Sequence, residues 1–514
     1  MKLNLQDYRN KVLGCWLGKN IGGTLGAPFE WKRQVNNVSF YTQDLHGDPL
    51  PNDDLDIQLL WLVAMEEKGI EVDAHRLAEY WCLYVAPHWA EYGTGKINMR
   101  AGLLPPLSGS YRNAFKHSCG SFIRSEIWAC ITPGLPHLAA QFAYEDAILD
   151  HGNGEGTYAE IFIATLESAA FIISDLRQLI DIGLSFIPKE CGVAQAIRTT
   201  LACKDGGKTW LEARDEALRL YRGGTFFGHH QNTSLDDQKK GFLSGELGYD
   251  VPTNIAITLI GLLYGGEDFG QVQCIAVNCG EDTDCTAATA GSIWGIIHGA
   301  AKLPKKWTDP IGRGIKTVCL NLGDLHSGNQ LPQTVDDLTE RTLKIARQVF
   351  LRHGVRYLSD TEPTDLSDIN SGDLKSEDQG ASLYRGLGGP RFDFDFFTVY
   401  VDYGDEPVLR DGQPKIVKVT IQNRYKVQAQ LGLHWYLPET LQVSPSADGS
   451  ALSVMSWLGK PLALEFTLNS SRQTQPVCRA VMEITVNSRP NVMLIPITLL
   501  NGNYDCPAHE VKKA

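Results

Sequence analysis

Two short acidic runs carry the residues best suited to chemistry. NCGEDTDCTAATAGSIWG, Asn278 to Gly295, sets Glu281, Asp282 and Asp284 within four positions, ahead of a stretch of small residues. PNDDLDIQLLWL, Pro51 to Leu62, sets Asn52, Asp53 and Asp54 ahead of an amphipathic helix, with Asp56 three residues after Asp53. A carboxylate at a helix start is ordinarily an N-cap, because the backbone N–H groups there lack partners. One aspartate meets that need in each run, and the rest exceed it. From one run alone, capping and cation binding are equally good readings. Two runs change the balance, because clustered hard oxygen donors suit Mg²⁺, Mn²⁺ or Ca²⁺ and adjacent like charges are costly without them.

The elements that must position these runs are helical. From Leu5 to about Arg352 apolar residues recur at three- and four-residue steps, as at Ile255, Leu259, Leu262 and Leu263, or Phe269, Val272, Ile275 and Ala276; Trp61, Met65, His75, Leu77 and Trp81 fall in another such region. GCWLGKNIGGTLGAPFEW, Gly14 to Trp31, predicts a helix whose Gly18, Gly22, Gly23 and Gly26 admit close neighbours, broken at Pro28 so that Glu30 follows the break. It has neither GxxxxGK[ST] nor GxGxxG spacing, so it is not a phosphate-cradling loop. Residues 354–389, including LSDTEPTDLSDINSGDLKSEDQG, are polar and turn-rich and read as a linker. Beyond it the period becomes two: Val417, Val419 and Ile421 alternate with Lys418, Thr420 and Gln422. The same alternation runs through Leu431, Leu433 and Trp435, through Leu462, Leu464, Phe466 and Leu468, and through Met482, Ile484 and Val486. The expected chain is therefore multi-domain: an all-α domain over 1–353, a linker over 354–389 and an all-β, immunoglobulin-like sandwich over 390–514, folding as a separate unit that contributes little to the chemistry.

Composition narrows the function classes. The formal net charge of −13 argues against non-specific nucleic-acid binding, which needs a basic footprint. No run of eighteen apolar residues and no apolar leader is present, so a cytoplasmic protein without membrane attachment is expected. The 12 cysteines are scattered with no CxxC pair, which fits buried, reduced thiols and neither a zinc ribbon nor a thioredoxin motif.

Taken in order, GGTLGAPFEW, NDDL and GEDTDCTAATAGSIWGIIHGA resemble the motifs of the ADP-ribosylglycohydrolase family, which read GDALGxPxEF, TDDT and GGDTDTxAAxxGxxxGA. VPTNIAITLIGLLYGG and LPKKW also look like the family, and the resemblance spans roughly Tyr8 to Trp307. The family includes the enzyme that removes ADP-ribose from dinitrogenase reductase, and the ADP-ribosylarginine and ADP-ribosylserine hydrolases. The resemblance implies a compact all-α fold with two Mg²⁺ (or Mn²⁺) ions. Carried over by position, it implies metal ligands at Asn52, Asp53, Asp54, Asp282, Asp284 and the Cys285 position, and a catalytic-loop glutamate at Glu30. GSFIRSEIWACI resembles the substrate-cleft segment G-x-x-M-R-I-x-P, implying substrate contacts at Gly120, Ser121 and Arg124, with Glu126 where proline is usual. DHGNGEGTYAEIFIA brings His151 near the cleft by the same route, although a structural histidine is the commoner role; EYGTG, with Tyr92 and Gly93, reads either as a flexible rim or as an ordinary turn.

Two departures bear on the ions. Asn52 stands where the family has threonine and keeps an amide oxygen to offer. Cys285 stands where a second threonine is usual; Asp56 or Thr286 are the candidate substitutes. Four hard aspartates around a thiol favour a neutral spectator sulfur with water in its coordination position. The expected activity is metal-dependent hydrolysis of the C1 bond of an ADP-ribosylated protein or a smaller ribosyl conjugate. Glu30, Asp53 or Asp282 would orient or deprotonate the water beside an oxocarbenium-like transition state. A two-metal phosphoesterase or pyrophosphatase and a non-catalytic ADP-ribose-binding protein are the alternatives; the sequence leaves the oligomeric state open.

Overall fold

The structure is a computed structural model that describes residues 2–222, 233–242, 250–321, 323, 331–355 and 358–504. It divides into two compact units. One comprises 1–96 and 112–384, and the other 97–111 and 385–514.

The first unit is built of helices around fully buried Trp16, Trp61, Trp81 and Trp128. Its organising contact is between the helices Leu5–Gly26 and Thr283–His298. Glycines at four-residue steps on the first meet small residues at four-residue steps on the second, in antiparallel register: Gly14 with Gly295, Gly18 with Gly291, Gly22 with Ala287 and Gly26 with Thr283. A Cβ on Gly18 would stand 2.1 Å from the Gly291 carbonyl oxygen, and one on Gly22 2.2 Å from that of Ala287. Backbone therefore packs on backbone, which only residues without side chains permit. At its lower end Thr283 Oγ1 donates to the Gly26 carbonyl at 2.8 Å, fixing the start of one helix against the end of the other. Gly22→Ala is expected to lower the melting temperature by forcing this seam open, a strain of about 1–3 kcal/mol, and to weaken cation binding at the seam's end. Unchanged melting and affinity would mean the helices yield freely.

The Asp53–Lys68 helix, expected to be amphipathic, is buried on every side from Asp54 to Met65 and forms a central strut. The 3-10 turn Ala27–Phe29, with Pro28, ends the first helix and hands the chain to Glu30.

The second unit is a sandwich of two five-stranded sheets. Phe397–Asp402, Lys415–Asn423 and Leu462–Ser470 are consecutive antiparallel neighbours in one sheet; Val492–Asn501, Val477–Val486 and Ala429–Tyr436 are in the other. The alternating residues read from the sequence face the shared core, where Val417, Val419, Ile421, Leu431, Trp435, Leu468, Met482 and Ile484 are buried together. Leu103 and Leu107 join that core from the 97–111 segment. The sequence division at 353/354 differs from this one in two respects. Residues 97–111 complete the sandwich core, so a chain ending near Leu351 would leave Leu103 and Leu107 without it. Residues 358–384 count with the helices: Leu358–Ser359 pairs in parallel with Leu3–Asn4, and Tyr384 OH donates to the Phe186 carbonyl at 2.8 Å.

Among the described residues no helix is long and apolar enough to cross a membrane. Eleven cysteines are free thiols, ten buried and Cys82 partly so; Cys506 lies outside the described residues.

Candidate active site

Both acidic runs open helices, and in neither do the aspartates spend themselves on capping. Asn52, in extended conformation, is the N-cap of Asp53–Lys68: its Oδ1 accepts the Asp54 N–H at 2.9 Å. Asp282 occupies the cap position of Thr283–His298 yet makes no side-chain cap bond. The turn before it passes through Gly280 and Glu281, both at positive φ (75° and 68°). The irregular segment after Glu30 holds this turn in place: Trp31 N–H donates to the Glu281 carbonyl at 3.0 Å and Asn36 N–H to that of Asn278 at 3.0 Å. Glu30 and the second acidic run are thus tied by backbone as well as by the glycine seam.

The result is two overlapping donor sets. Donor atoms of Asp53, Asp54 and Asp284 lie within 4.8 Å of one another, as do those of Asp282, Asp284 and Cys285. Asp284 belongs to both. Asp54 Oδ2 and Asp282 Oδ1 are buried with no hydrogen-bond partner, which is costly unless something is bound to them. Cys285 Sγ donates to Asp54 Oδ1 at 3.4 Å. Asp53, Asp282, Asp284 and Cys285 floor a cleft of about 420 Å³ whose walls include Glu30, Trp31, Asn52, Trp89, Tyr92, Gly120, Cys119 and Val318. A larger hollow of about 540 Å³ lies on the sandwich around Phe396, Tyr425 and Arg489. It has no buried unpartnered carboxylate among the described residues, so the smaller cleft is the chemical one.

Proton affinities follow from this crowding. Burial, then Asp284 and Asp56, push Asp53 up to about 7. Burial, then Asp284, Asp53 and Asp54, push Glu30 up to about 9. Burial and neighbouring carboxylates also raise Asp54 and Asp282, the first relieved in part by Lys19, while burial raises Asp284 against hydrogen bonds from Asp282 and the Cys285 N–H. A site that holds protons this firmly on carboxylates is one that divalent cations would occupy in their place.

The hard-oxygen residues fit a divalent ion, and the structure brings Glu30, Asp53, Asp54, Asp282, Asp284 and Cys285 together as expected. Asn52 lines the cleft, but its oxygen is engaged as a cap. Neither proposed substitute for Cys285 joins the donor sets. Asp56 Oδ2 accepts the Val318 and Cys319 N–H groups at 2.7 and 2.6 Å, and Thr286 Oγ1 bonds to the Thr283 carbonyl at 3.4 Å.

The residues expected on the substrate side are divided by the fold: Gly120 and Tyr92 line the cleft, and Arg124, His151 and Ser121 do not. Arg124 is fully buried and outside the cleft. Its Nε donates to Asp146 Oδ1 at 2.8 Å, its Nη2 to Asp150 Oδ1 at 2.7 Å and its Nη1 to the Gly120 carbonyl at 2.7 Å. With those partners it braces the Gly120 loop. His151 is also fully buried and outside the cleft lining, with Nδ1 2.8 Å from Asp150 Oδ1 and Nε2 3.4 Å from Ser118 Oγ. Ser121 Oγ is turned to the Gly156 carbonyl at 2.7 Å. Gly120 and Tyr92 do line the cleft, and the buried Tyr92 hydroxyl has no partner. EYGTG is not a turn: it lies in the Ala90–Ala101 helix, whose Glu91 and Tyr92 line the cleft, and a Cβ on Gly93 would stand 2.4 Å from the His88 carbonyl oxygen.

Three groups take parts that the sequence reading did not assign to them. Lys19 is buried in the glycine-rich helix, 2.7 Å from Glu126 Oε1, and Glu126 also accepts from Gln58 Nε2 and Ser292 Oγ, each at 2.8 Å. The unexpected Glu126 is thus the counter-ion of Lys19 beneath Asp54. Glu281 belongs to neither donor set and pairs with Arg33 at 2.9 Å and Arg222 at 2.7 Å, with Arg33 also held by Asp250 at 3.0 Å. Glu91, buried against Gly120 on the cleft wall, has an unpartnered Oε2. A lysine inside a glycine-rich apolar helix was the one signal available for these.

A sequence model of ADP-ribosylglycohydrolase matches residues 4–345. No curated protein matches the chain. Among solved structures, a FixG-related protein from Vibrio parahaemolyticus overlays 21% of this chain and 98% of its own at 9% identity, with a TM-score of 0.18. A likeness that slight carries no argument.

Proposed function

The chain belongs to the ADP-ribosylglycohydrolase family, and from that premise we propose that it is a metal-dependent glycosidase acting on the C1 bond of an ADP-ribosyl or related ribofuranosyl conjugate. The observation that carries the proposal is the convergence of Asp53, Asp282 and Asp284 on the floor of one cleft, with Asp54 buried in the same donor set, from two helix starts over two hundred residues apart. Asp53, Asp54 and Asp284 would hold one divalent ion, and Asp284 and Asp282 a second. Such ions supply Lewis acidity, gripping vicinal sugar hydroxyls and acidifying a water.

The chain's own groups do the rest. Trp31, Trp89 and Tyr92 give flat, largely apolar walls that orient a ring and displace water from it. The carboxylates below the ring favour the positive charge that develops at C1 as the bond breaks. Glu30 faces three aspartates. As their charge is offset its proton affinity falls, leaving a carboxylate at the cleft wall to take the proton of the attacking water.

The test is incubation with Mg²⁺ or Mn²⁺ and a panel of ADP-ribosylated peptides, nucleosides and aryl ribofuranosides, with products read by mass spectrometry. Release of a free C1-hydroxyl sugar supports the reading. Release of phosphate or of AMP would replace it with phosphoryl transfer, and no turnover across the panel would withdraw it.

A further inference from the structure

The two donor sets are not alike. Asp53, Asp54 and Asp284 offer oxygen only, whereas Asp282, Asp284 and Cys285 include a sulfur. We propose that the cleft holds a mixed pair of ions bridged by Asp284: a hard ion such as Mg²⁺ on the Asp53 side, and Zn²⁺ or another borderline-soft ion on the Asp282–Cys285 side. The inference rests on the cation-site reading above and specifies which ion each half selects.

Three observations carry it. First, Cys285 Sγ is among the donors, within 4.8 Å of carboxylate oxygens of both Asp282 and Asp284. Donors around a tetrahedral zinc lie about 3.6 Å apart, given its usual bond lengths. The set therefore closes on such an ion with a modest contraction. Second, Asp282 Oδ1 has no partner although the residue is only 7% exposed, and Asp54 Oδ2 has none at 0%. Each half of the site thus keeps an unsatisfied buried oxygen. Third, three protein donors facing an open cleft leave a fourth position for water, the arrangement of catalytic rather than structural zinc.

Ligand softness decides between ions. Mg²⁺ requires oxygen and near-octahedral geometry, and a sulfur in its sphere is a poor donor. Zn²⁺ accepts mixed sulfur and carboxylate sets. When it binds, the thiol proton now shared with Asp54 Oδ1 leaves to solvent through the cleft, because a thiol coordinated to such an ion is deprotonated outright. This reverses the expectation of a spectator sulfur with water in its place. That expectation weighed the number of aspartates and could not see the sulfur inside the donor set.

Cobalt(II) is the probe, because its visible d–d bands report binding whatever the donors and its near-ultraviolet thiolate charge-transfer band reports sulfur alone. The full-length protein, stripped of ions and supplied with Mg²⁺, is titrated with Co²⁺ to one equivalent. The expected result is both signals in the native chain and in Cys119→Ser, whose thiol lies on the same cleft wall but outside the donor sets. Cys285→Ser and Cys285→Thr should lose the charge-transfer band. They should bind Zn²⁺ at least tenfold more weakly and Mg²⁺ as tightly as before or more so. The native spectrum decides even if a variant folds poorly. Visible bands without charge transfer, or charge transfer that survives in Cys285→Ser, overturn the mixed site while leaving the cation-site reading intact. Failure to bind Co²⁺, Zn²⁺ or Mg²⁺ at all overturns both.

Discussion

Asp284→Ala is expected to abolish tight binding of both ions and to lower turnover by about 10³-fold or more, a loss of several kcal/mol of charge stabilisation at the reacting centre. Asp284 is the one residue common to the two donor sets, so its removal opens both at once. Asp53→Ala should spare the Asp282–Cys285 half, and Asp282→Ala the Asp53–Asp54 half, so titration calorimetry of the three variants should give a stoichiometry of none, one and one. Asp56→Asn is the control. Its carboxylate is three residues from Asp53 but is engaged with the Val318 and Cys319 N–H groups, and it should cost stability without changing stoichiometry. A second consequence has the opposite sign. Asp284→Asn keeps an oxygen for the Cys285 N–H, now accepted by Oδ1 at 2.9 Å, while removing a charge from a crowded cluster. In chelator it should melt at or above the native temperature, though it binds ions poorly. Native-like ion binding in Asp284→Ala and Asp53→Ala alike would end the shared-site argument.

What the sequence revealed about this site depended on excess. A helix start needs one capping group, and Asn52 is that group in the first run, which left Asp53 and Asp54 to be explained otherwise. The same reasoning overcounted in the second run. Glu281 sits beside Asp282 in sequence, but the positive φ at Gly280 and Glu281 turns it to Arg33 and Arg222. Local spacing specifies neither that turn nor those partners.

Periodicity disclosed which face of each element is apolar but not which core receives it. Leu103 and Leu107 flank the Pro105–Pro106 turn inside a region read as helical, and nothing in their spacing says they complete the sandwich core. Arg124 and His151 could not be placed for a related reason. A polar residue next to a helix start has the same local signature whether it lines a cleft or lies beneath one. What distinguishes them here is saturation by Asp146 and Asp150, which only the fold assembles. Glycines misled at EYGTG because close approach and turning both select glycine; in the Leu5–Gly26 helix the four-residue repeat resolved the ambiguity in favour of close approach.

In chelator, the protein is expected to lose stability steadily as pH rises from about 5 to about 9, and divalent ions should remove that loss. Asp53, Asp56 and Glu30 are held, chiefly by burial, at about 7, 6 and 9, well above the values near 4 that such groups have in an unfolded chain. Between those limits the folded state binds more protons than the unfolded state, so the slope of unfolding free energy with pH is negative. Stability from these groups is complete below pH 4 and drains away as pH climbs through each folded-state value. At about 1.4 kcal/mol per pKa unit, the loss from the cluster is on the order of several kcal/mol. Asp150 works in the other direction: against its burial, Arg124 and His151 hold its carboxyl below the ordinary range, and its contribution is lost only in strong acid. Bound cations offset the charge that the carboxylates acquire as they lose their protons, so the stabilisation by cations should grow with pH as well as with the logarithm of their concentration. Thermal melts at pH 5, 7 and 9, with chelator and with saturating Mg²⁺ plus Zn²⁺, measure this as a gap between the two curves that widens toward alkaline pH. A chelator curve that stays flat or rises from pH 5 to 9 would show that these carboxylates are not crowded in the folded protein, and that no charge in the cleft awaits an ion.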